Sequence, residues 1–192
     1  MPQDLPPTKA TVLISGEGSN LQALIDAAPL MPHLKIVRVI SNKAGANGLN
    51  RAKAVSIPTA YHNLVSGKYY AAGEKDPAVK AAAREKYDAD LAKLVLADSP
   101  DIVICAGCKT NPFLAPYRKG GKLENDTTGI MIHYVISEVD RGEPIVIRKI
   151  QCKTPETLDE LKARMHSQEH ELILEGTQLA ISHLWEKRSK SS

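Results

Sequence analysis

The feature that most restricts the fold of this chain is an alternation of short apolar, β-branched runs with segments of helical periodicity. The runs cover residues 11–15, 34–41 and 102–105, and helical patterns lie at about 20–28, 49–55 and 77–97. Strands that alternate with helices in this way form a mostly parallel sheet with helices on its faces. The sequence therefore predicts an α/β fold.

The C-terminal part of the sequence carries a different pattern. The segments GIMIHYVIS and IVIRKIQCK flank the polar turn EVDRGEP, which is typical of an antiparallel hairpin. A long helix is predicted from near Thr157, where Thr-x-x-Glu resembles a capping box, towards Trp185. Residues 109–128 show no clear apolar strand. In the helix predicted at 77–97, a core face is indicated by Tyr87, Leu91, Leu94 and Val95.

Composition argues against several classes of protein. A chain of 192 residues with 43% hydrophobic and 24% charged residues suits one domain, so we expect a single domain over 1–192 with a basic tail from about 186. The net charge of +3 is too small to indicate a nucleic-acid partner. Because no apolar run approaches the roughly 20 residues that cross a bilayer, and the N-terminus lacks a secretory signal, we expect a cytoplasmic protein without a membrane partner.

The three cysteines, Cys105, Cys108 and Cys152, form no disulfide framework, which agrees with a reducing compartment. Cys105 and Cys108 form CAGC, a pattern found in redox dithiols and in half of a zinc site. Cys105 closes the apolar run DIVIC, and the sequence offers no evident second pair of zinc ligands. We therefore expect small core residues here, with a thiol oxidoreductase as the alternative.

The sequence TVLISGEGSN ends the first predicted strand in glycines and small polar residues. Glycine turn chemistry followed by a Ser or Asn cap explains this pattern without a ligand. The alternative is a phosphate site, because N–H groups and the helix dipole at a helix N-terminus favour an anion. The spacing matches neither the dinucleotide fingerprint nor the P-loop, so both interpretations stay open.

Two further groups carry candidate chemistry. Asp140 lies in EVDRGEP, where it would cap the turn or, at the mouth of a cleft, act as a catalytic carboxylate. In MHSQEH, His166, Glu169 and His170 share one helix face. They would form a solvated face, hold a metal or, through Glu169, accept hydrogen bonds from ribose hydroxyls. The pattern is not His-Glu-x-x-His, and we expect no metal.

Several segments taken together resemble the phosphoribosylglycinamide formyltransferase family, most of all its fungal members. They are LISGEGSNLQALIDA, VISNKAGANGLNRAKAVSIPT, REKYDADLAKL, GIMIHYVISEVDRGEPIV and ARMHSQEHELI, which span nearly the whole chain. The resemblance implies a Rossmann-like formyltransferase fold. It also implies transfer of a formyl group from 10-formyltetrahydrofolate to the amine of glycinamide ribonucleotide in de novo purine biosynthesis.

The resemblance implies roles for residues on the nucleotide side. Gly18, Ser19 and Asn20 would hold the substrate phosphate. His166 and Glu169 would lie along the rest of the nucleotide, with Glu169 at the ribose. His166 stands where some relatives have glutamine.

On the folate side, the resemblance implies that Arg84 reaches towards the folate. The pterin pocket would be lined by the turn residues Ile136, Ser137, Glu138, Val139 and Asp140. Asp140 would be the essential acid, which organises a water molecule and the catalytic histidine during proton transfer.

The sequence departs from the family at one place. The family has Asn-x-His-Pro between the C-x-x-C region and GIMIHYV, where the asparagine steadies the oxyanion and the histidine handles protons. None of the six histidines stands in such a motif, and His133 lies where the family commonly has a structural histidine. Two possibilities stay open: a segment of the active enzyme is not in this sequence, or the chain is a non-catalytic, ribonucleotide-binding relative.

Overall fold

The computed structural model of the chain describes residues 6–107, 127–138, 141–153 and 155–191. One compact unit covers Pro2–Gly107 and the other covers Cys108–Ser192. They are called the N-terminal unit and the C-terminal unit below. The expectation of a single domain over 1–192 stays a prediction.

The N-terminal unit is built on a four-stranded parallel sheet in the order β3-β2-β1-β4. The strands are β1 (Thr8–Ile14), β2 (Leu34–Ser41), β3 (Thr59–Tyr61) and β4 (Ile102–Cys105). β1 pairs with β2 on one side and with β4 on the other, and most of its side chains are buried. A parallel strand covered on both faces gives a continuous apolar run, which is why the sequence revealed the part from Thr11 to Ile14, whereas the strand begins at Thr8.

Three helices accompany this sheet: α1 (Ser19–Ala27), α2 (Asn47–Ala54) and α3 (Pro77–Leu96), with a short 3₁₀ helix at Ala28–Leu30. Leu21 of α1 and Leu49 of α2 join Val12 and Val39 of the sheet in one core cluster. α3 begins at the cap Asp76, whose side chain accepts a hydrogen bond from Ala78 N, and Pro77 suits its first position.

The described residues of the C-terminal unit form an antiparallel hairpin and one long helix. The hairpin strands are β5 (Thr127–His133) and β6 (Pro144–Gln151), and the helix is α4 (Leu158–Ser189). α4 packs Leu161, Met165 and Leu172 against hairpin residues that include Ile130 and Ile150. The predicted capping box is present, since the side chains of Thr157 and Glu160 each accept a backbone hydrogen bond from the other residue.

These elements confirm the predicted α/β fold with its parallel sheet and antiparallel hairpin. β3 was not predicted, because three residues are too few to show a strand pattern. In α3, Tyr87 is buried as predicted, whereas Leu91, Leu94 and Val95 are only half-buried.

Cys105 is exposed, so the prediction that it is a core residue is wrong. β4 lies at the edge of the described sheet, and its side chains alternate between half-buried and exposed. Because successive side chains point to opposite faces of a strand, Cys105 falls on the exposed face together with Val103. Cys108 lies outside the described residues.

The helix α4 extends through Ser189, so most of the segment expected to form a basic tail is helical. Lys187 and Arg188 lie in its last turn, where positive charge complements the helix dipole. The Arg188 guanidinium also lies 4.9 Å from the ring centroid of Trp185. This cation–π contact and the dipole favour continuation of the helix beyond Trp185.

Candidate functional site

The order of strands in the N-terminal unit reverses at β1, because β2 and β3 lie on one side of it and β4 on the other. Open α/β sheets bind ligands at the carboxyl ends of the strands, in the crevice at such a point. The residues that follow β1 and β4 meet there, since a Cβ built on Gly107 would lie 2.9 Å from Ser15 Oγ. The glycine turn identified in the sequence therefore lies where this fold binds ligands.

The turn requires glycine at Gly18, the N-cap of α1. Gly18 has a left-handed φ of 73°, and a Cβ on it would approach Gly48 Cα to 2.6 Å. Gly48 N donates a hydrogen bond to Gly16 O across 3.2 Å, which joins the start of α2 to the turn. The backbone of the turn is thus fixed by close contact between two glycine-containing segments.

The N-terminus of α1 suits an anion. Among the described residues, no side chain caps its first turn, where helix N–H groups lack intrahelical partners. Asn20 Oδ1 is buried without a hydrogen-bond partner in the described part of the chain. Rotation of this amide would present NH₂ donors instead. Gly18, Ser19 and Asn20 follow one another at this helix end, whose uncapped N–H groups are of the kind that bind anions.

Sequence reasoning missed a polar network that holds the turn. Arg51 of α2 donates from Nη2 to Glu17 Oε1 across 2.6 Å and from Nε to Glu17 O across 3.0 Å. Arg51 Nη1 also donates to Gln22 Oε1, and Asn47 Nδ2 donates to Glu17 Oε1 across 2.7 Å. The hydrogen bond from Asn47, followed by that from Arg51, holds the pKa of Glu17 below its usual value. No periodicity could have indicated this contact, because Glu17 and Arg51 are 34 positions apart.

In the C-terminal unit, His166 and Glu169 lie together on α4. His166 Nδ1–H donates to Glu169 Oε2 across 3.0 Å, and Glu169 is the more covered side chain, with 26% exposed against 64% for His166. His170 Nε2 is buried and has no hydrogen-bond partner among the residues described. The pair offers a partly covered carboxylate with a fixed orientation, which suits acceptance of hydrogen bonds from hydroxyl groups.

The turn between β5 and β6 is closed at its base by Tyr134. Tyr134 N donates to Glu143 O across 2.9 Å, and the Tyr134 hydroxyl lies 2.9 Å from His183 Nδ1 on α4. A Cβ on Gly142 would collide with Tyr134 O, so glycine is needed there. These contacts tie both the start and the end of the turn to fixed positions in the unit.

The predicted folate residues of this turn are partly described. Ile136 is 48% exposed, and Ser137 Oγ donates to Glu138 Oε2 across 2.8 Å. That hydrogen bond lowers the pKa of Glu138. Val139 and Asp140 lie outside the described residues, so the predicted role of Asp140 stays a prediction.

Arg84 lies on α3 in the N-terminal unit. Its Nε donates to Asp88 Oδ2 across 3.0 Å, and its guanidinium lies 5.3 Å from the ring centroid of Tyr87. Its side chain is 61% exposed, so the positive charge is accessible from solvent.

None of the described helices combines the length and hydrophobicity of a membrane span. No cluster of three or more His, Cys, Asp or Glu side chains suited to a metal occurs within the described ranges.

Comparison with known proteins assigns the family. The family model described as formyl transferase matches residues 8–120 and 110–177, so the chain belongs to the formyl transferase family. It is 38% identical to the phosphoribosylglycinamide formyltransferase of Saccharomyces cerevisiae, over 92% of this chain and 98% of that protein. It is 32% identical to the Schizosaccharomyces pombe protein of the same name, over 89% of this chain and 96% of that protein. The predicted family resemblance is confirmed.

A solved structure supports the fold. Glycinamide ribonucleotide transformylase 1 from Symbiobacterium toebii matches with a TM-score of 0.72 at 24% identity, over 92% of this chain and 89% of that one. At this identity the likeness concerns the fold alone. It confirms the predicted Rossmann-like formyltransferase fold.

The comparisons also indicate where the chain departs from its relatives. The alignment with the S. cerevisiae protein spans 213 residues, more than the 192 of this whole chain, so that protein has residues without a counterpart here. The two family-model matches meet at residues 110–120, between β4 and β5. This is the part of the chain in which the family's Asn-x-His-Pro was expected and is not found.

Proposed function

We propose that this protein is a cytoplasmic phosphoribosylglycinamide formyltransferase formed by one domain over residues 1–192. It transfers the formyl group of 10-formyltetrahydrofolate to the primary amine of glycinamide ribonucleotide. The observation that carries the proposal is the glycine turn at the switch point of the sheet, in a chain similar to such enzymes over nearly their whole length. Its partners are these two small molecules, with no nucleic acid, membrane or metal involved.

The phosphate of the nucleotide would lie at the N-terminus of α1, against residues 18–20. The uncapped N–H groups there, together with the helix dipole, stabilise a phosphate dianion. Glu169 would accept hydrogen bonds from the ribose hydroxyls. His166, by holding one oxygen of Glu169, would orient the carboxylate for this contact.

The folate would contact the hairpin turn. Val135 and Ile136 expose apolar side chains, which suit the flat ring system of a pterin, next to the hydrogen-bonding groups of Ser137 and Glu138. Val139 and Asp140 would complete this side of the site. The exposed guanidinium of Arg84 would pair with a carboxylate of the folate.

In the reaction, the amine nitrogen of the nucleotide attacks the formyl carbon and a tetrahedral intermediate forms. The bond between that carbon and N10 of the folate then breaks, and a proton from the amine reaches N10. Asp140, through an ordered water, would carry this proton. The family's Asn-x-His-Pro is absent from this sequence, and loss of a single oxyanion donor typically slows such a step by about 10² to 10³. We therefore expect slow transfer.

The test is formyl transfer by the purified chain, measured as formation of formylated nucleotide in the presence of both substrates. Transfer should be lost in Asp140→Asn and retained in Glu143→Gln, which alters an exposed carboxylate of the same turn. Binding of glycinamide ribonucleotide without any transfer would overturn the catalytic proposal. That result would identify a ribonucleotide-binding relative of the family.

A further inference from the structure

We propose that Arg51 is a positioning residue for the substrate phosphate: it neutralises Glu17, a carboxylate placed directly beside the phosphate-binding turn, and turns it aside. The inference rests on the proposed function, because it requires a phosphate at residues 18–20. Beyond that function, we infer that the ion pair between Arg51 and Glu17 balances the charge beside the turn. The ion pair does not itself contact the phosphate.

A carboxylate at Glu17 is unfavourable for a phosphate site. Neighbouring Cα atoms lie about 3.8 Å apart, so a Glu17 side chain that is free to rotate can bring its charge within the Debye length of about 8 Å from a phosphate bound at Gly18. The Glu17 side chain is 66% exposed, and without a partner it could approach the anion. A free Glu17 would therefore weaken phosphate binding by repulsion.

The position of Arg51 prevents this repulsion. It contacts Glu17 twice, through the carboxylate at 2.6 Å and through the backbone carbonyl at 3.0 Å, so the guanidinium holds both the charge and the backbone. Asn47 donates to the same carboxylate oxygen at 2.7 Å. The stem of Arg51 runs beside the turn, with Cδ 3.8 Å from a Cβ built on Gly18. The Arg51 side chain is only 29% exposed, so its charge lies close to the turn and is partly shielded from solvent.

The proposal fixes the order of affinities in a double-mutant cycle. In Arg51→Met the uncompensated Glu17 charge should raise the Kd and KM for glycinamide ribonucleotide about tenfold, with the KM for the folate unchanged. Glu17→Gln leaves the positive charge in place and should bind the nucleotide as tightly as wild type or more tightly. In Glu17→Gln/Arg51→Met both charges are gone, so most of the lost affinity should return.

The experiment is calorimetric titration of glycinamide ribonucleotide into the four proteins at two salt concentrations, with KM and kcat measured in parallel. The Arg51→Met penalty should shrink at high salt, because screening weakens repulsion between partly exposed charges. Arg38→Met serves as the control. It removes another ion pair of the N-terminal unit, Arg38–Asp98 at 2.6 Å, and should leave nucleotide affinity unchanged.

Three results would overturn the inference. If the double variant binds as poorly as Arg51→Met, Arg51 acts only by shaping the backbone. If Arg51→Met binds like wild type, Glu17 does not act on the phosphate. If wild-type protein does not bind glycinamide ribonucleotide, the proposed function fails together with the inference, whereas the first two results leave the function intact.

Discussion

The two units of the chain carry different kinds of candidate binding groups. In the N-terminal unit, the proposed phosphate position consists of backbone N–H groups at a helix end, and two packed glycine segments fix its shape. In the C-terminal unit, the candidate groups are side chains on α4 and in the hairpin turn. A site made of backbone groups should be disrupted by any side chain added at its few glycine positions. A site made of side chains should lose only part of its affinity for the ligand with each substitution.

The largest expected effect concerns residues 108–126, which lie between β4 and β5 in the sequence. Replacing residues 108–126 with a segment that carries the family's Asn-x-His-Pro should raise kcat for formyl transfer by about 10² to 10³. The same replacement with alanine at the asparagine and histidine should give no gain. A chimera that folds and binds nucleotide without faster transfer would contradict this prediction.

The next effect tests the backbone site. Gly18→Ala places a side chain at a positive φ and against Gly48, and strain of this kind costs about 1 to 3 kcal/mol. We expect a Kd for glycinamide ribonucleotide about tenfold to a hundredfold higher, measured by calorimetry. Gly45→Ala is the matched control, since a Cβ built on Gly45 meets nothing within 4 Å. Equal nucleotide affinities of the two variants would show that binding does not require glycine at position 18.

A smaller effect is expected at the side-chain site. Glu169→Gln removes a charged acceptor, and the KM for the nucleotide should rise about tenfold, because hydrogen bonds to charged groups are worth about 1.5 to 3 kcal/mol. His166→Gln keeps an N–H donor for Glu169 and should change KM by no more than about twofold. Steady-state kinetics at saturating folate would measure both. The reverse order of effects would show that His166, and not Glu169, carries the contact.

The smallest effect concerns stability of the C-terminal unit. Arg164 donates to both oxygens of Glu156, at 2.9 and 2.8 Å, and this contact is the largest cause that lowers the pKa of Glu156 from its usual 4.5. A carboxylate with a lowered pKa stabilises the fold above its unfolded pKa, and this stabilisation is lost as the pH falls through its folded pKa. Glu156→Gln should therefore reduce the free energy of unfolding by about 1 kcal/mol at pH 7.

Chemical denaturation of wild type and Glu156→Gln across pH would measure this difference, which should shrink below pH 4.5. Asp159→Asn provides the control, because Asp159 pairs with Lys162 through a side chain that is 90% exposed. A difference that stays constant from pH 7 to pH 3 would exclude the ionised Glu156 as its source.

Patterns in the sequence predicted those elements whose conformation depends on residues close together in the chain. The buried run of β1, the capping box at Thr157 and the hairpin around EVDRGEP each follow from neighbouring residues. Gly18 was identified for the same reason, since a glycine between a strand and a helix indicates a particular backbone shape. Residue types and spacing also placed His166 and Glu169 on one helix face, where the structure pairs them.

The features that sequence reasoning missed depend on contacts between distant segments. Cys105 was expected in the core because its run is apolar, but its exposure is decided by the position of β4 in the sheet. The contact of Arg51 with Glu17 and the packing of Gly48 on Gly18 both require α2 to meet the turn after β1. No periodicity within one segment contains that information.

The hydrogen bond between Tyr134 and His183 makes the hairpin turn, which we propose contacts the folate, depend on the last turns of α4. Its partners are 49 positions apart, and His183 lies within the last turns of α4. Trimming the chain before residue 183 would remove one anchor of the turn, and a bulky fusion partner that frays this helix would have the same effect. Every residue that we propose contacts the folate would still be present in the chain. The final helix is therefore a tether for the turn, and alterations at that end should be assayed for folate affinity as well as for solubility.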